Sequence, residues 1–413
     1  MSSYISLLLF AATVLADCEC GYTVNSTSST DFALFTDLFE TDFLHLHDVT
    51  YNTSYSTGWI PQNYNTSAND GSGPYGMAKQ STNLLPNYLL SPSNYVDGGV
   101  KNRDPGLQLY VRSSLLQQPA DQPALVPLAE IVSERDDILY GSFRIAMKTS
   151  PINGTCAAFY FYCNDSQELD VEISGAEQMS ASKHGPVHFV AQNTITEDGL
   201  AGSKQFVDEL LSPPSDDYNE YRFDCEYAAS RTPRETLSET SADGFFSRTK
   251  GLPGRVDFYV NGKLLSSTTE NVPSSPGRIH ISHWSNGNPS WSRGPPLSDA
   301  VMTVSYVKAY FNSTNLTRSN EYSAACASLK KPTISDQTCE IPAQLTAPNP
   351  FGPDGNFTGT FFFSDHPSMT PNQTIYQPKE NSATDNMITM SRTQYILIML
   401  VTGQIATWGR PLF

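Results

Sequence analysis

From about residue 105 onward, apolar and polar residues alternate with a period of two. The alternating stretches are Leu107–Arg112, Leu139–Lys148, Cys156–Cys163, Glu168–Ile173, Val187–Gln192, Tyr221–Tyr227, Arg255–Val260, Arg278–His283 and Val301–Phe311. Side chains two apart on a strand share a face, so each stretch reads as a strand with one buried face. Gly, Pro, Asn and Asp punctuate them, and Asn261-Gly262 after DFYV predicts a tight two-residue hairpin. No long helical period appears. Many strands at short spacing without helices between them predict an all-β sandwich or jelly roll.

Residues 17 to about 100 are rich in Ser, Thr, Asn, Tyr and Gly and read as loops and short strands wrapping the core. Regular patterning fades after about Tyr322. This divides the chain into a domain over 17–322, a linker or stalk over 323–393 and an apolar tail over 394–413. The Pro-, Thr-, Ser- and Asn-rich composition of 340–393 buries too little apolar surface to fold alone and is expected to be disordered.

Composition narrows the partners. The 413 residues carry a formal net charge of −17, which argues against nucleic acid, whose phosphates need a basic surface. A neutral polysaccharide is compatible with that balance. Residues 1–16 read as a secretory signal, with an apolar run Leu7–Ala12 and Val14-Leu15-Ala16 before a cut. Nine Asn-x-Ser/Thr sequons, at Asn25, Asn52, Asn65, Asn153, Asn164, Asn312, Asn315, Asn356 and Asn372, support a secreted glycoprotein. At the other end, Asn381-Ser382-Ala383, a spacer and the apolar tail follow the order of a lipid (glycosylphosphatidylinositol) anchor signal, the tail being too short to span a bilayer.

Seven cysteines are present, so in an oxidising compartment most should pair and at least one is left over. An extended Cys156–Cys163 strand would hold its ends ~23 Å apart, too far to bridge. The remaining connectivity is open. Cys18-x-Cys20 lacks a second ligand pair for zinc, and no cofactor or metal is expected.

The chemistry concentrates in Glu168-Leu169-Asp170-Val171-Glu172-Ile173. On a strand, Leu169, Val171 and Ile173 face the core, while Glu168, Asp170 and Glu172 share the other face. Like charges in line push their pKa values apart, so one carboxylate stays ionised while another holds a proton. Retaining glycoside hydrolysis needs such a pair, one carboxylate attacking the anomeric carbon and one acid protonating the leaving oxygen. An acidic exposed strand or a calcium site would show the same residues.

The surrounding segments resemble glycoside hydrolase family 16. YGSFRIAMK at 140–148, then AFYFY, then ELDVE follow that family's order of strands, and YRFD at 221–224, DFYVNG at 257–262 and HISHWSNGNPSWSRGPP at 280–296 look like its later segments. The last segment and the start DCECGY are similar to secreted fungal members. The likeness runs over roughly 17–315. It implies a concanavalin A-like jelly roll with an open sugar cleft, Glu168 as nucleophile, Glu172 as general acid/base and Asp170 as the assisting acid. It departs at Cys225, where many relatives carry Trp.

Around this centre, Trp284 and Trp291 flank a Gly/Asn/Pro-rich loop and offer flat faces to sugar rings. Tyr160, Tyr162, His188 and His283 lie on strands that could present them to the cleft. The expected function is a monomeric retaining glycosidase acting on β-1,3- or mixed-linkage β-glucan. Its alternatives are a cell-wall glucan/chitin transglycosylase and a non-catalytic glucan-binding lectin of the same fold.

Overall fold

A computed structural model describes residues 18–25, 31–49, 57–88, 104–119, 121–180, 185–192, 204–210, 213–226, 231–233, 254–328, 338–348, 350, 361–366 and 369. In chain order the strands are β1 (Tyr22–Asn25), β2 (Asp31–Phe35), β3 (Asp37–Asp42), β4 (Trp59–Pro61), β5 (Tyr64–Thr66), β6 (Gly76–Lys79), β7 (Leu84–Asn87), β8 (Gly106–Val111), β9 (Leu125–Ser133), β10 (Ile138–Lys148) and β11 (Cys156–Asn164). They continue as β12 (Gln167–Ser174), β13 (Pro186–Gln192), β14 (Lys204–Glu209), β15 (Asn219–Glu226), β16 (Arg231–Pro233), β17 (Arg255–Val260), β18 (Lys263–Thr268), β19 (Arg278–Trp284), β20 (Ala300–Ser313) and β21 (Cys339–Glu340). Two helices, α1 (Gly175–Ser180) and α2 (Leu316–Ser328), accompany them.

The expected all-β jelly-roll sandwich is the architecture observed. One sheet runs β14-β13-β12-β11-β19-β9-β6-β5 with β4 also on β9. The facing sheet runs β18-β17-β15-β10-β20-β8-β7 with β3 also on β20. Between them lies one core of aromatic and aliphatic side chains. Phe143 stacks on Phe161 at 4.9 Å, and Phe189 on Phe258 at 4.9 Å, tying sheet to sheet. The Asn261-Gly262 hairpin forms between β17 and β18, with both residues at positive φ (48° and 73°), as a tight primed turn needs.

Core packing sets the register of β12. Leu169, Val171 and Ile173 are buried in the sandwich, each stabilising it by roughly 1.5–3 kcal/mol relative to exposure. A slip of one residue would put them outside and the three carboxylates inside. The same alternation therefore obliges Glu168, Asp170 and Glu172 to face outward together.

Two features depart from the sequence reading. Helix α2 carries no buried residue and so shows no amphipathic stripe. It is held by other means: Asn315 Oδ1 accepts from the Thr317 N–H at 2.9 Å at its start, and Cys326 is disulfide-bonded to Cys20. The segment expected to be linker from 323 is partly built into the fold. Strand β21 pairs with β1, and Cys339 is bonded to Cys18. Ile341, Phe362, Phe363 and Met369 are buried. This strap crosses the outer face of the second sheet, where Arg144 Nη1 donates to the Pro342 carbonyl at 2.8 Å, Lys308 donates to the Phe361 carbonyl, and the Ser364 N–H donates to Glu40 Oε2 at 2.9 Å. Residues 1–16 and 394–413, with the leader and anchor expectations they carry, lie outside the described residues.

Candidate active site

Four cysteines pair as above, and Cys156, Cys163 and Cys225 carry free thiols. Cys156 and Cys163 sit on one strand and do not bridge, as their extended spacing requires. Cys225, at the position where the sequence departs from its resemblance, is a core residue between the sheets.

The outer face of β12 opens into a cleft of about 300 Å3. Its floor is ordered by strand pairing into rows. Glu172 is flanked by Ala158 on β11 and His188 on β13. The same row continues through Ser282 on β19 to Glu130 on β9. Ala158 and Ser282 are small, which leaves room beside Glu172 for a ligand. Asp170 lies next to Tyr160, and Tyr160 next to His280, whose ring stacks on it at 4.6 Å. Glu168, Asp170 and Glu172 all line the cleft.

The three carboxyls differ in charge preference. Burial raises Asp170 well above the usual carboxylate range, and the charges of Glu168 and Glu172 on either side raise it further. Asp170 thus holds a proton and hydrogen-bonds Glu168. Burial also raises Glu168, but this hydrogen bond from Asp170 pulls it back toward ionisation. Glu172 is pushed up to about 7, chiefly by burial and then by the charge of Glu168, and is partly restrained by hydrogen bonds from Trp291, Trp284 and Cys156. Near neutral pH the strand therefore presents an ionisable Glu168 braced by a protonated Asp170, and a Glu172 poised to give or take a proton.

The aromatic residues divide. Trp284 is half-buried, lines the cleft and hydrogen-bonds Glu172. Trp291 hydrogen-bonds Glu172 as well, and its ring lies 5.0 Å from that of His188. His188 is in turn fixed by Glu177, 2.6 Å from Nε2, and by Gln205 Nε2, which donates to Nδ1 at 3.2 Å. Tyr160 lines the cleft, whereas the Tyr162 hydroxyl turns to Asp165 Oδ1 at 2.6 Å.

His283 is misplaced by the sequence reading. Its strand neighbour is Ala157, a core position, and its side chain is fully buried on the inner face, donating from Nδ1 to the Leu109 carbonyl at 2.9 Å. Burial lowers it to about 4, so it stays neutral. The alternation of β19 decides this: His280 and Ser282 face the cleft, and His283 faces inward.

The loop after β19 is pinned rather than loose. Asn286 Nδ2 donates to the Gly71 carbonyl at 2.6 Å, and Asn286 Oδ1 accepts from the Asn288 N–H and the Ser292 hydroxyl at 2.9 Å each. Gly73 packs so close that a Cβ there would meet the Asn286 carbonyl oxygen at 2.4 Å. This fixes Trp291 over the Glu172 end of the strand.

Sequence reasoning missed Glu130 and Lys79. Lys79 Nζ lies 2.9 Å from Glu130 Oε2, and His280 Nδ1 lies 3.3 Å from Glu130 Oε1. Burial opposes the charge on Glu130, but the His280 hydrogen bond and the Lys79 ammonium outweigh it and hold the carboxyl below its ordinary value. The signal for Glu130 was present, a lone carboxylate inside the apolar run LVPLAEIVS. Its partner lies 51 positions earlier on a short parallel neighbour strand, which no local pattern shows.

Residues 114–227, which include the whole of β12, match the model of glycosyl hydrolases family 16. A β-glucanase of Paenibacillus polymyxa is 23% identical over 158 residues, covering 37% of this chain and 51% of that protein. A β-glucanase of Acetivibrio thermocellus is 23% identical over 180 residues, covering 42% and 43%. The chain thus spans about half the length of the curated relatives it matches. Among solved structures, the Bacillus licheniformis β-glucanase is similar, with 17% identity, 66% of this chain and 97% of that chain covered, and a TM-score of 0.43. The sequence ELDVE, with Glu168, Asp170 and Glu172, lies inside the segment that matches this family's model.

Proposed function

We propose that this protein is a retaining glycoside hydrolase that cleaves β-1,3- or mixed-linkage β-glucan. The observation that carries this reading is the single face of β12, where Glu168, Asp170 and Glu172 line one cleft with their proton affinities split. The β-glucanase names of the relatives supply the substrate class. In the reaction, Glu168 attacks the anomeric carbon as the glycosidic C–O bond breaks, and Glu172 delivers its proton to the departing sugar oxygen. Asp170 donates its hydrogen bond to Glu168 and so steadies the nucleophile's charge. Water, deprotonated by Glu172, then attacks the glycosyl-enzyme and releases Glu168. Trp284 and Tyr160 line the cleft as sugar contacts, Trp284 and Trp291 hydrogen-bond Glu172, and His188 packs beside Trp291.

The two disulfides support an extracellular location, since such bonds persist in oxidising compartments. With the leader, sequons and tail of the sequence, they favour a glycoprotein anchored at the cell surface or wall.

Product analysis by mass spectrometry tests the reading. The folded protein is incubated with laminarin, lichenan and chitin oligomers beside a Glu168→Gln control. Shorter glucan oligosaccharides, absent with the control, are the expected result. Products longer than the input would instead establish a transglycosylase, and unchanged chain lengths with every substrate would leave a binding protein.

A further inference from the structure

The row of the sheet next to the Glu172 row is built around that carboxyl. It runs from Ser174 on β12 through Cys156 on β11 to Trp284 on β19. Trp284 hydrogen-bonds Glu172 directly. The Ser174 hydroxyl donates to the Trp291 carbonyl at 3.4 Å, which ties down the loop whose Trp291 side chain also hydrogen-bonds Glu172. Between them lies Cys156, fully buried and outside both disulfides, with Sγ 3.8 Å from Glu172 Oε1. Sulfur is larger than oxygen, so this span is a hydrogen-bond distance for a thiol donor. The same Sγ lies 3.8 Å from the Ala157 carbonyl oxygen. One proton therefore has two acceptors within reach. Burial and the charge of Glu172 raise the Cys156 thiol well above its ordinary value, so it stays an S–H donor and adds no negative charge.

We infer that Cys156 is a positioning residue for Glu172, its S–H turning to Oε1 when that carboxyl is ionised and to the Ala157 carbonyl when it is protonated. This rests on the function proposed above and deepens it. Glu172 changes charge twice in each double displacement, first as acid and then as base. The indole N–H groups of Trp284 and Trp291 are fixed in aim and favour the ionised form. A thiol rotates about a single bond, so it serves the ionised form and still finds an acceptor when the carboxyl regains its proton. The titratable groups around Glu172 are Glu168 and Asp170 on its own strand, His188 across from it on β13, and Glu177 of α1 against that histidine. Burial and the charge of Glu168 raise the proton affinity of Glu172, and the Cys156 hydrogen bond works against both.

The experiment compares wild type, Cys156→Ala and Cys156→Ser, with melting temperatures checked for each. Cys156→Ala removes the donor, so the fall of kcat/KM on lichenan or laminarin should move to higher pH by about 0.4 of a pH unit. Cys156→Ser keeps a donor and should return the limb toward wild type. A limb unmoved in Cys156→Ala, or moved equally in both variants, would overturn the inference. Infrared spectra of the wild-type protein supply a test that needs no variant. One of its three thiols should show an S–H stretch that moves to lower frequency as pH rises through about 7, when Glu172 ionises and becomes the stronger acceptor. S–H bands that ignore pH over that range would overturn the inference even if both variants fail to fold. A wild-type protein that shows the shift and cleaves no β-glucan would overturn the function proposed above and leave the Cys156–Glu172 contact standing.

Discussion

Asp170 hydrogen-bonds Glu168 from the same face of β12, and its own proton is secured by burial and by the charges on either side of it. The bond runs from a carboxylic acid to a carboxylate, so removing Asp170 removes a donor rather than a charge. Asp170→Ala should lower kcat about a hundredfold, the usual cost of losing one positioned donor, with KM little changed. Glu168 then loses the interaction that favours its ionised form, so the acid limb of the kcat–pH profile should move to higher pH. Asp170→Asn, whose amide can still donate, should fall between the two. Steady-state rates across pH check all three.

Glu172 sits near 7, which sets a pH window. In the acid role proposed for it, Glu172 must carry its proton when the sugar oxygen departs, so kcat/KM should decline as pH rises through about 7 and hold below it. Stability has its own sign. The folded-state value lies above that of an unfolded glutamate, so the folded protein binds more protons between the two. Stability then falls as pH rises from about 4.5 toward 7. Glu172→Gln removes that penalty, and its melting temperature should gain on wild type between pH 5 and pH 8. A gap that stays constant across that range would refute the assignment.

Cys156, Cys163 and Cys225 should be silent toward thiol reagents in the native state. Burial raises all three, Cys163 to about 12 with help from the charge of Glu168, and thiolate is the reactive form. Titration of the native protein should detect almost none of them at pH 7.5, and titration after unfolding without reductant should detect three.

The strap after α2 should contribute to stability. Cys18–Cys339 and Cys20–Cys326 close loops of 321 and 306 residues, and a native disulfide typically contributes about 2–4 kcal/mol. The two loops nearly coincide, so the second adds less than the first. Cys18→Ser/Cys339→Ser should lower the melting temperature measurably. A chain ended at residue 322 should be less stable still, because it also loses the buried Phe362 and Phe363 and leaves Glu40, Arg144 and Lys308 without their backbone partners.

Much of this was legible in the chain. Strands β8, β10 to β13, β15, β17, β19 and β20 follow period-two alternation that burial enforces, whereas β9, β14, β16 and β18 escaped it, and ELDVE shows the outward carboxylates because Leu169, Val171 and Ile173 must go inward. What was hidden depends on contacts far apart in sequence. Helix α2 is held by a cap and a disulfide rather than an apolar stripe, so periodicity could not show it. The strap is secured by single Phe side chains and backbone carbonyls in a polar stretch. His283 could be placed only by the phase of β19, which fixes His280 and Ser282 toward the cleft. Lys79 reaches Glu130 through a parallel strand pair with no local signature.

The role of Glu168 is open to a direct measurement. The folded protein is incubated with a 2-deoxy-2-fluoro-β-glucosyl substrate bearing a good leaving group, which slows release of the glycosyl-enzyme, and is then digested and mapped by mass spectrometry. Double displacement with Glu168 as nucleophile predicts one added fluoroglycosyl unit on the peptide containing Glu168, at that residue. An adduct on Glu172 or elsewhere, or β-glucan cleavage with inverted products and no adduct, would contradict it.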